Sequence, residues 1–412
     1  MQQRNFLSRQ LMPPEIRGAE VGSFAHSTVS LRLASIAQRV IDENSFPPEI
    51  VGNLQTLIQE LPQGIVRELK DTESPDFATW KSYLEPYKGL NWLDIPWYFA
   101  EAYFYRRILE ATNYFKSGSW QGIDPFVYQK QMGLETAIDG IIPLSAFVNQ
   151  WGKPELDDED KKAALIKLLY FDLWGNRADL SLWPAGEAEE NRIESNRETA
   201  YILVDDTAKI AEKVASFKLA RIDLIVDNAG FELVGDLCLA DFLLSTNAAA
   251  VVYLHLKAHP TFVSDAMIKD VQYTIDQLLQ ASDLEVRSLA VRLQNYLDNH
   301  QLKCCENLFW TSPLALWEMP DGIYEELSKS NLIVLKGDAN YRRSLGDRHW
   351  PFTIDYQDIV SYFPAPLVAL RTLKSEIATG LKSEQIEYLN QQDPQWLTNG
   401  QWGVIQFVDP VY

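Results

Sequence analysis

The stretch LIVDNAGFELVGD, from Leu224 to Asp236, decides the fold. An apolar run that is typical of a buried strand leads directly into Asp227 and Asn228, and a helical pattern follows. In an open α/β sheet, residues just beyond the carboxyl end of a strand face the ligand crevice. Two adjacent oxygen-bearing side chains at such a turn suit a hard divalent cation, and Asp265 follows the next strand-like run. The stretch therefore predicts half of a metal site at a strand end.

Strand-like and helical patterns alternate in the second half of the chain. The strand-like runs are IDLIVD from Ile222, AAVVYLHL from Ala249, NLIVLKGD from Asn331, PLVALRT from Pro366 and WGVIQFV from Trp402. Near-continuous Val, Ile and Leu runs separated by helices predict an α/β fold with a three-layer, doubly wound, mostly parallel sheet. The run YILVD, from Tyr201, is consistent with either a strand or a helix.

The first part of the chain has helical periodicity from about Ser27 to Tyr170. Apolar stripes lie at residues 33–41, in PWYFAEAYFYRRILEATNYF with Pro96 as first helical residue, and after the acidic start at Leu156. The run PAGEAEENRIESNRE (184–198) is almost free of apolar residues and predicts an exposed connection. A chain of 412 residues is longer than a single hydrophobic core usually accommodates, so we expect two domains. The first, 1–190, is mainly helical, and the second, 191–412, is an α/β domain that binds metal and phosphate.

Charge and composition restrict the classes of partner. A formal net charge of −20 argues against a nucleic-acid surface, but nearby Lys and Arg can still bind one small phosphorylated metabolite. No apolar run approaches the roughly eighteen residues that span a bilayer, so we expect no membrane contact. The 3 cysteines have no metal-ligand spacing and indicate reduced thiols. We therefore expect a soluble cytoplasmic protein with no obligate protein partner.

Carboxylates, an amide and cations follow several of the predicted strands. The set consists of Asp227, Asn228, Glu232 and Asp265, together with the segments KGDANYR (336–342) and RTLK (371–374). In a parallel sheet these groups converge on one edge, where they favour metal-assisted phosphoryl transfer or hydrolysis. Each motif also has a simpler interpretation: a turn, a helix cap, a solvated loop or the start of a surface helix.

Other catalytic classes lack their usual motifs. The chain has no GxSxG elbow, GxGxxG fingerprint or Walker loop, which argues against a serine hydrolase, a dinucleotide oxidoreductase and a P-loop kinase. His255 and His259 are four residues apart, but they straddle the end of a strand-like run and precede Pro260. A structural or exposed role is favoured for both.

Six segments together resemble the metal-dependent damage-control phosphatase family, one member of which was described as an acidic residue methyltransferase. The resemblance covers most of the chain from about Thr28, and RTLK is similar to the RTxK motif of the third, sugar-phosphate subfamily. The segments are WLDIPWYFAEAYFYRRI from Trp92, LWGNRADLSLW from Leu173, VDNAGFELVGDLCLADFLL from Val226, LHLKAHPTFVSDA from Leu254, KGDANYRRSLGDRHW from Lys336 and RTLK from Arg371.

The resemblance implies a helical N-terminal region packed on an α/β domain and one divalent cation, Mn, Ni, Co or Mg. Asp227, Asn228 and Asp265 are the implied metal ligands, with Asp227 or Asp265 as the catalytic carboxylate that attacks phosphorus or orients water. Asn176 is implied to line the pocket from the helical side. The implied substrate-binding residues are these three ligands together with Glu232, Asp338, Ala339, Asn340, Tyr341, Arg342 and Lys374.

The implied activity is hydrolysis of small sugar phosphates such as fructose 1-phosphate, which limits metabolite damage. Two alternatives remain at this point. One is S-adenosylmethionine-dependent O-methylation of protein glutamate, although the turn DNAGFELVGD has no GxG and methyl transfer needs no divalent cation. The other is a non-catalytic metal- and phosphate-binding protein.

Overall fold

A seven-stranded sheet forms the centre of the molecule in a computed structural model that describes residues 12–175 and 199–409. The strand order is β1-β7-β6-β5-β2-β3-β4. Helices cover both faces, which confirms the predicted three-layer α/β fold with a helical N-terminal region. The strands are β1 (Ile202–Asp205), β2 (Ala220–Ile225), β3 (Ala249–Lys257), β4 (Leu302–Asn307), β5 (Leu332–Lys336), β6 (Leu367–Thr372) and β7 (Gly403–Val408).

The sheet contains a block of five parallel strands with β2 at its centre. Every neighbouring pair is parallel except β6 and β7. After β2 the chain proceeds to β3 and β4 on one side, and it then returns to β5 and β6 on the other. Strand order therefore reverses between β2 and β5, and a crevice opens at such a switch point beyond the carboxyl ends of the strands.

Helices precede the sheet and alternate with its strands. A π-helical turn at Thr28–Arg32 joins the first two helices. The α-helices are α1 (Phe24–Ser27), α2 (Leu33–Glu43), α3 (Pro48–Glu60), α4 (Phe77–Leu84), α5 (Trp97–Ala111), α6 (Val127–Glu135), α7 (Ile138–Trp151), α8 (Asp158–Trp174), α9 (Thr207–Ala215), α10 (Phe231–Ser245), α11 (Ile268–Gln280), α12 (Leu284–Asp298), α13 (Asp321–Leu327), α14 (Gly337–Ser344), α15 (Tyr356–Val360) and α16 (Ser383–Gln392).

Each face of the sheet has its own hydrophobic core. Ile333 and Leu335 of β5 pack with helices α2 to α5, whereas Leu332 and Val334 pack with α7 to α12. This alternation is the period of two that a strand buried on both faces requires. Helices from the first 175 residues thus pack on both faces. The division into domains at residue 190 stays a prediction, and the predicted connection 184–198 lies outside the described residues.

Three local expectations differ from the structure or are decided by it. The ambiguous run at Tyr201 forms β1 at the edge of the sheet. Strand β4, with the sequence LKCCEN, was not predicted because this edge strand has few of the β-branched residues that signal a strand. Pro96 is the cap before α5, so the first helical residue is Trp97.

A buried cluster of charges joins α8, α10 and β5 beneath the switch point. Lys336 Nζ lies 2.5 Å from Asp172 Oδ1 and 3.1 Å from Asp236 Oδ1. Burial raises the pKa of both carboxyl groups, and the positive charge of Lys336 opposes that shift. The cluster thus fixes the end of β5 against two helices.

We predict that Lys336→Met destabilises the protein by about 3–5 kcal/mol, because two buried carboxylates lose their cation. The matched control is Lys329→Met, because Lys329 pairs with Glu326 on the surface, and it should change stability by less than about 0.5 kcal/mol. Urea denaturation measures both. Equal free energies of unfolding for the two variants would contradict the prediction.

Both histidines of the strand-like run have structural contacts, as predicted. His255 Nε2 lies 2.8 Å from Asp223 Oδ1 inside the sheet. The ring of His259 is buried beside Phe115, and its Nε2 lies 3.9 Å from Asp76 Oδ2. Burial lowers the pKa of His259 from 6.5 to about 4.

We predict that His259 makes stability fall as the pH drops from about 6.5 to about 4. In this window the unfolded state binds a proton that the folded state does not, so acid favours unfolding by up to roughly 3 kcal/mol. His259→Gln should show a shallower pH dependence of the free energy of unfolding than a variant of the exposed His349, His349→Gln. Parallel curves for the two variants would refute this role.

Candidate active site

Asp227 and Asn228 lie at the switch point, directly after β2. The turn continues through Gly230, whose φ of 74° favours glycine, and α10 begins at Phe231. Asn228 Nδ2 donates hydrogen bonds to Asp227 Oδ2 at 2.9 Å and to Glu232 Oε2 at 2.8 Å. The turn therefore holds three of the predicted site side chains together.

The loop after β3 brings Asp265 to the same place. Asn228 and Asp265 form an isolated antiparallel bridge. Beside it, the backbone N–H of Ala266 donates to the carbonyl oxygen of Asp227 at 2.8 Å. The hydroxyl of Ser264 donates to Asn228 Oδ1 at 2.5 Å. The two loops thus hold all three predicted metal ligands next to one another.

The two carboxylates of this group are buried, with Asp227 5% and Asp265 1% exposed. Burial raises the pKa of Asp227 well above its usual range, and the charges of Asp265 and Glu232 raise it further. Burial also raises the pKa of Asp265, and the positive charge of Lys257 opposes that rise. Lys257 Nζ lies 2.9 Å from Asp265 Oδ2. Asp227 Oδ1 accepts no hydrogen bond within the described residues. A bound cation would stabilise both ionised groups.

The donor set fits a hard divalent cation. Two carboxylates and one amide are oxygen ligands of the kind that Mg²⁺ and Mn²⁺ take, with water or substrate completing the coordination. Across residues 12–175 and 199–409, no three His, Cys, Asp or Glu side chains form a group suited to a metal. A cation bound here would therefore need the amide of Asn228 as well as the carboxylates of Asp227 and Asp265.

These side chains face a cavity of about 300 Å³. Its lining includes most of the predicted site residues, namely Asp227, Asn228, Glu232, Asp265, Asp338, Ala339, Arg342 and Lys374. The helical part of the chain adds residues to which the sequence analysis assigned no role, namely Phe24, Arg32, Trp97, Glu101 and Tyr105. The predicted pocket residue Asn176 lies outside the described residues.

Asp338 organises the loop that carries Lys374. Asp338 Oδ1 accepts hydrogen bonds from Arg371 Nε at 2.8 Å, from the backbone N–H of Lys374 at 3.2 Å and from Ser375 Oγ at 2.9 Å. Burial opposes ionisation of Asp338, but the charges of Arg371 and Arg342 lower its pKa overall. An ionised Asp338 thus links the end of β5 to the RTLK motif.

The two predicted phosphate-binding cations differ in their existing contacts. Arg342 donates to Glu101 at 2.6 Å and to Asp347 at 2.8 Å, and its guanidinium carbon lies 3.6 Å from the ring centroid of Trp97. Lys374 Nζ has no hydrogen-bond or ion-pair partner in the described part of the chain, and its charge acts on Asp227. Lys374 is therefore the more available donor, whereas two carboxylates already balance Arg342.

Asn340 and Tyr341 do not line the cavity. Asn340 Nδ2 donates to the carbonyl oxygen of Val226 at 3.2 Å, and the hydroxyl of Tyr341 donates to Gln406 Oε1 at 2.8 Å. Helical geometry turns both side chains inward, although they are adjacent to pocket residues in sequence. Their contact with substrate stays a prediction, and the observed contacts give them a part in positioning the strand ends.

Comparisons with known proteins bear on this site. The sequence model described as "Damage-control phosphatase ARMT1-like domain" matches residues 28–389. Proteins named "Damage-control phosphatase ARMT1" are similar over nearly their full length. The one from Rattus norvegicus is 33% identical, covering 97% of this chain and 99% of the relative, and the one from Homo sapiens is 32% identical, covering 97% and 100%. These matches confirm the family resemblance.

A solved structure is also similar in outline. It is described as a DUF89 family protein from Pyrococcus horikoshii, with 15% sequence identity and a TM-score of 0.46. The similarity covers 92% of this chain and 96% of that one.

We predict that Gly337→Ala disrupts the site. Gly337 has a φ of 80°, and an added Cβ would overlap the carboxylate of Asp227. The backbone conformation and the overlap should together lower stability by at least about 2 kcal/mol and weaken binding of Mn²⁺. Thermal unfolding and calorimetric titration measure the two effects.

The matched control is Gly52→Ala, because Gly52 lies within α3 and a Cβ added there meets no atom within 4 Å beyond its chain neighbours and the adjacent helix backbone. This variant should keep or raise the melting temperature. Wild-type stability and Mn²⁺ affinity in Gly337→Ala would contradict the account of the turn.

Proposed function

The chain belongs to the damage-control phosphatase ARMT1-like family, and from this premise we propose that it hydrolyses small sugar phosphates with the help of a divalent cation. Fructose 1-phosphate, a reactive ketose phosphate that glycates amines, represents the proposed substrate class. Its removal would limit damage to other metabolites.

One observation carries the proposal. Asp227, Asn228 and Asp265 line a single cavity, in which both carboxylates are buried, and Lys374 of the loop after β6 lines the same cavity. A phosphate monoester has several anionic oxygens, which such a site can share between a cation and an ammonium group. A cavity of about 300 Å³ is at the lower end of the range for small-molecule pockets.

Asp227, Asn228 and Asp265 would hold the cation. When bound, the cation supplies Lewis-acid stabilisation of a phosphoryl oxygen and offsets negative charge. Lys257 keeps Asp265 in place, since the two groups form an ion pair inside the protein. Either Asp227 or Asp265 would attack phosphorus or orient the attacking water.

Lys374 would donate to the phosphoryl oxygens. Its backbone N–H donates to Asp338, which fixes the backbone position from which the side chain extends. Arg342 would act mainly as a fixed positive charge beneath the substrate, because Glu101 and Asp347 occupy its donors. Of these two cations, Arg342 is paired with carboxylates and Lys374 is not, within the described residues.

Aromatic rings form the remaining wall of the cavity. Trp97, Tyr105 and Phe262 line it, and the ring of Phe262 lies against that of Tyr105, with centroids 4.9 Å apart and planes tilted by 36°. Such rings pack against the carbon skeleton of a bound metabolite and exclude water. The combination favours a phosphate ester with a compact organic part over inorganic phosphate alone.

Where the protein acts is also a proposal. Within the described residues, every helix is too short or too polar to cross a bilayer. We propose that the protein is cytoplasmic, as the predicted reduced thiols suggest, and that its partner is a small phosphorylated metabolite.

Methyl transfer to protein glutamate and binding without turnover are the two competing functions. The first predicts methyl transfer from S-adenosylmethionine without added metal, and the second predicts bound metal without hydrolysis. Both outcomes are measurable on the protein used for phosphatase assays.

We predict that EDTA-stripped protein releases no phosphate from fructose 1-phosphate, and that added Mn²⁺, Co²⁺, Ni²⁺ or Mg²⁺ restores release. Asp227→Ala should lower kcat/KM by at least about hundredfold in each metal, because the cation loses a buried ligand. A colorimetric phosphate assay over a panel of sugar phosphates measures both effects and ranks the substrates.

The matched control is Asp205→Ala, because Asp205 ends β1 at the edge of the sheet and does not line the cavity. It should keep kcat/KM within about threefold of wild type. Full turnover by Asp227→Ala, or release that is indifferent to metal, would refute the proposed mechanism.

A further inference from the structure

One cation of the cavity has no role so far. Among the four Lys and Arg residues that line it, Lys336 and Arg342 are each paired with two carboxylates. Lys374 is the proposed phosphate donor. The fourth, Arg32, is exposed, and no carboxylate in the described residues lies within ion-pair distance of it. An unpaired guanidinium at an acidic cavity is available to an anionic ligand.

An unusual helical turn carries Arg32. Residues Thr28–Arg32 form a π-helix, closed by a hydrogen bond from the N–H of Leu33 to the carbonyl oxygen of Thr28. Turns of this kind are rare and frequently occur at functional sites. Phe24 and Arg32 are eight residues apart, an offset of about 80° on a regular α-helix, yet both line the cavity. A π-helical turn contains more residues than an α-helical one, so each residue rotates less about the helix axis. The angular offset between Phe24 and Arg32 is therefore smaller than on a regular α-helix.

Helix α1, which leads directly into this turn, is hydrogen-bonded to the loop that carries Lys374. The backbone N–H groups of Phe24 and Ala25 donate to the two carboxylate oxygens of Glu376 at 2.9 and 3.3 Å. Glu376 is two residues beyond Lys374. The ring of Phe24 also packs on Trp97, with centroids 5.9 Å apart. The two cations are thus on elements that are joined directly.

Arg32 also lies within electrostatic reach of the cavity floor. Burial raises the pKa of Glu101, and Arg342 and Arg32 are among the positive charges that oppose this shift. Glu101 Oε2 is held by Arg342 at 2.6 Å, and within the described residues Glu101 forms no ion pair with Arg32. Arg32 thus lines the cavity and acts on Glu101 through its charge, without an ion-pair partner of its own among the described residues.

We infer that Arg32 is a substrate-binding residue that contacts the phosphoryl group together with Lys374; this inference rests on the proposed phosphatase function. A guanidinium presents two parallel N–H donors to a phosphate, whereas an ammonium acts as a point charge. Arg32 would therefore orient the phosphoryl group, and Lys374 would mainly balance its charge. No bond to Arg32 forms or breaks in the reaction.

The test uses inorganic phosphate, which is the product and contains only the group that Arg32 is inferred to contact. Calorimetric titration of phosphate into the Mn²⁺-loaded full chain should show about tenfold weaker binding in Arg32→Ala. Arg32→Lys, which keeps the charge and loses the fork, should weaken binding by about threefold. With fructose 1-phosphate, KM should rise by a similar factor and kcat should fall less.

The matched control is Arg39→Ala, because Arg39 is exposed on the following helix and pairs with Glu43 at 2.8 Å outside the cavity. It should bind phosphate as wild type does. Should Arg32→Ala fail to fold, Arg32→Gln replaces it, and thermal unfolding verifies the fold of each variant.

Two results separate the inference from the proposed function. Wild-type turnover combined with equal phosphate affinity in Arg32→Ala and Arg39→Ala would overturn the role of Arg32 alone. A higher KM for the sugar phosphate with unchanged affinity for inorganic phosphate would overturn it too, because Arg32 would then contact another part of the substrate. No phosphate release by wild-type protein with any metal would refute the proposed function and this inference together.

Discussion

The burial of carboxylates at the switch point between β2 and β5 is the constraint on which the rest of the structure depends. A charge removed from water is costly unless an opposite charge or hydrogen bonds compensate it. Ion pairs within the protein compensate most of these groups. Lys257 pairs with Asp265, Lys336 pairs with two acids below the crevice, and Arg371 pairs with Asp338. Asp227 is different, because it forms no ion pair within the described residues, and burial together with the charges of Asp265 and Glu232 raises its pKa. A divalent cation compensates such a group more completely than a hydrogen bond does.

The cavity is a joint product of the helical and the α/β parts of the chain. The strand ends contribute the proposed oxygen ligands and Lys374, and the first helices contribute aromatic rings and Arg32. Glu376 holds the start of α1, and Glu101 of α5 holds Arg342. These links hold side chains from residues 24–105 against the strand ends that carry the proposed site.

The sequence predicts what depends on local pattern and leaves open what depends on tertiary contact. The apolar run before Asp227 identifies β2, and the parallel topology then brings Asp265 and Asp338 to the same edge. The polar edge strand β4 has no such signal. The inward orientation of Asn340 depends on where α14 packs, and the loss of free donors on Arg342 depends on Glu101, which is 241 residues away. Arg32 lies in no recognisable motif, because a π-helical turn has no strong sequence signature.

Anomalous diffraction from a crystal of the protein loaded with Mn²⁺ and phosphate would locate both the cation and the anion in the cavity. The account predicts one manganese peak bounded by Asp227, Asn228 and Asp265, with the phosphate between that peak and Lys374. A manganese peak elsewhere, or phosphate bound away from the strand ends at full metal loading, would contradict it.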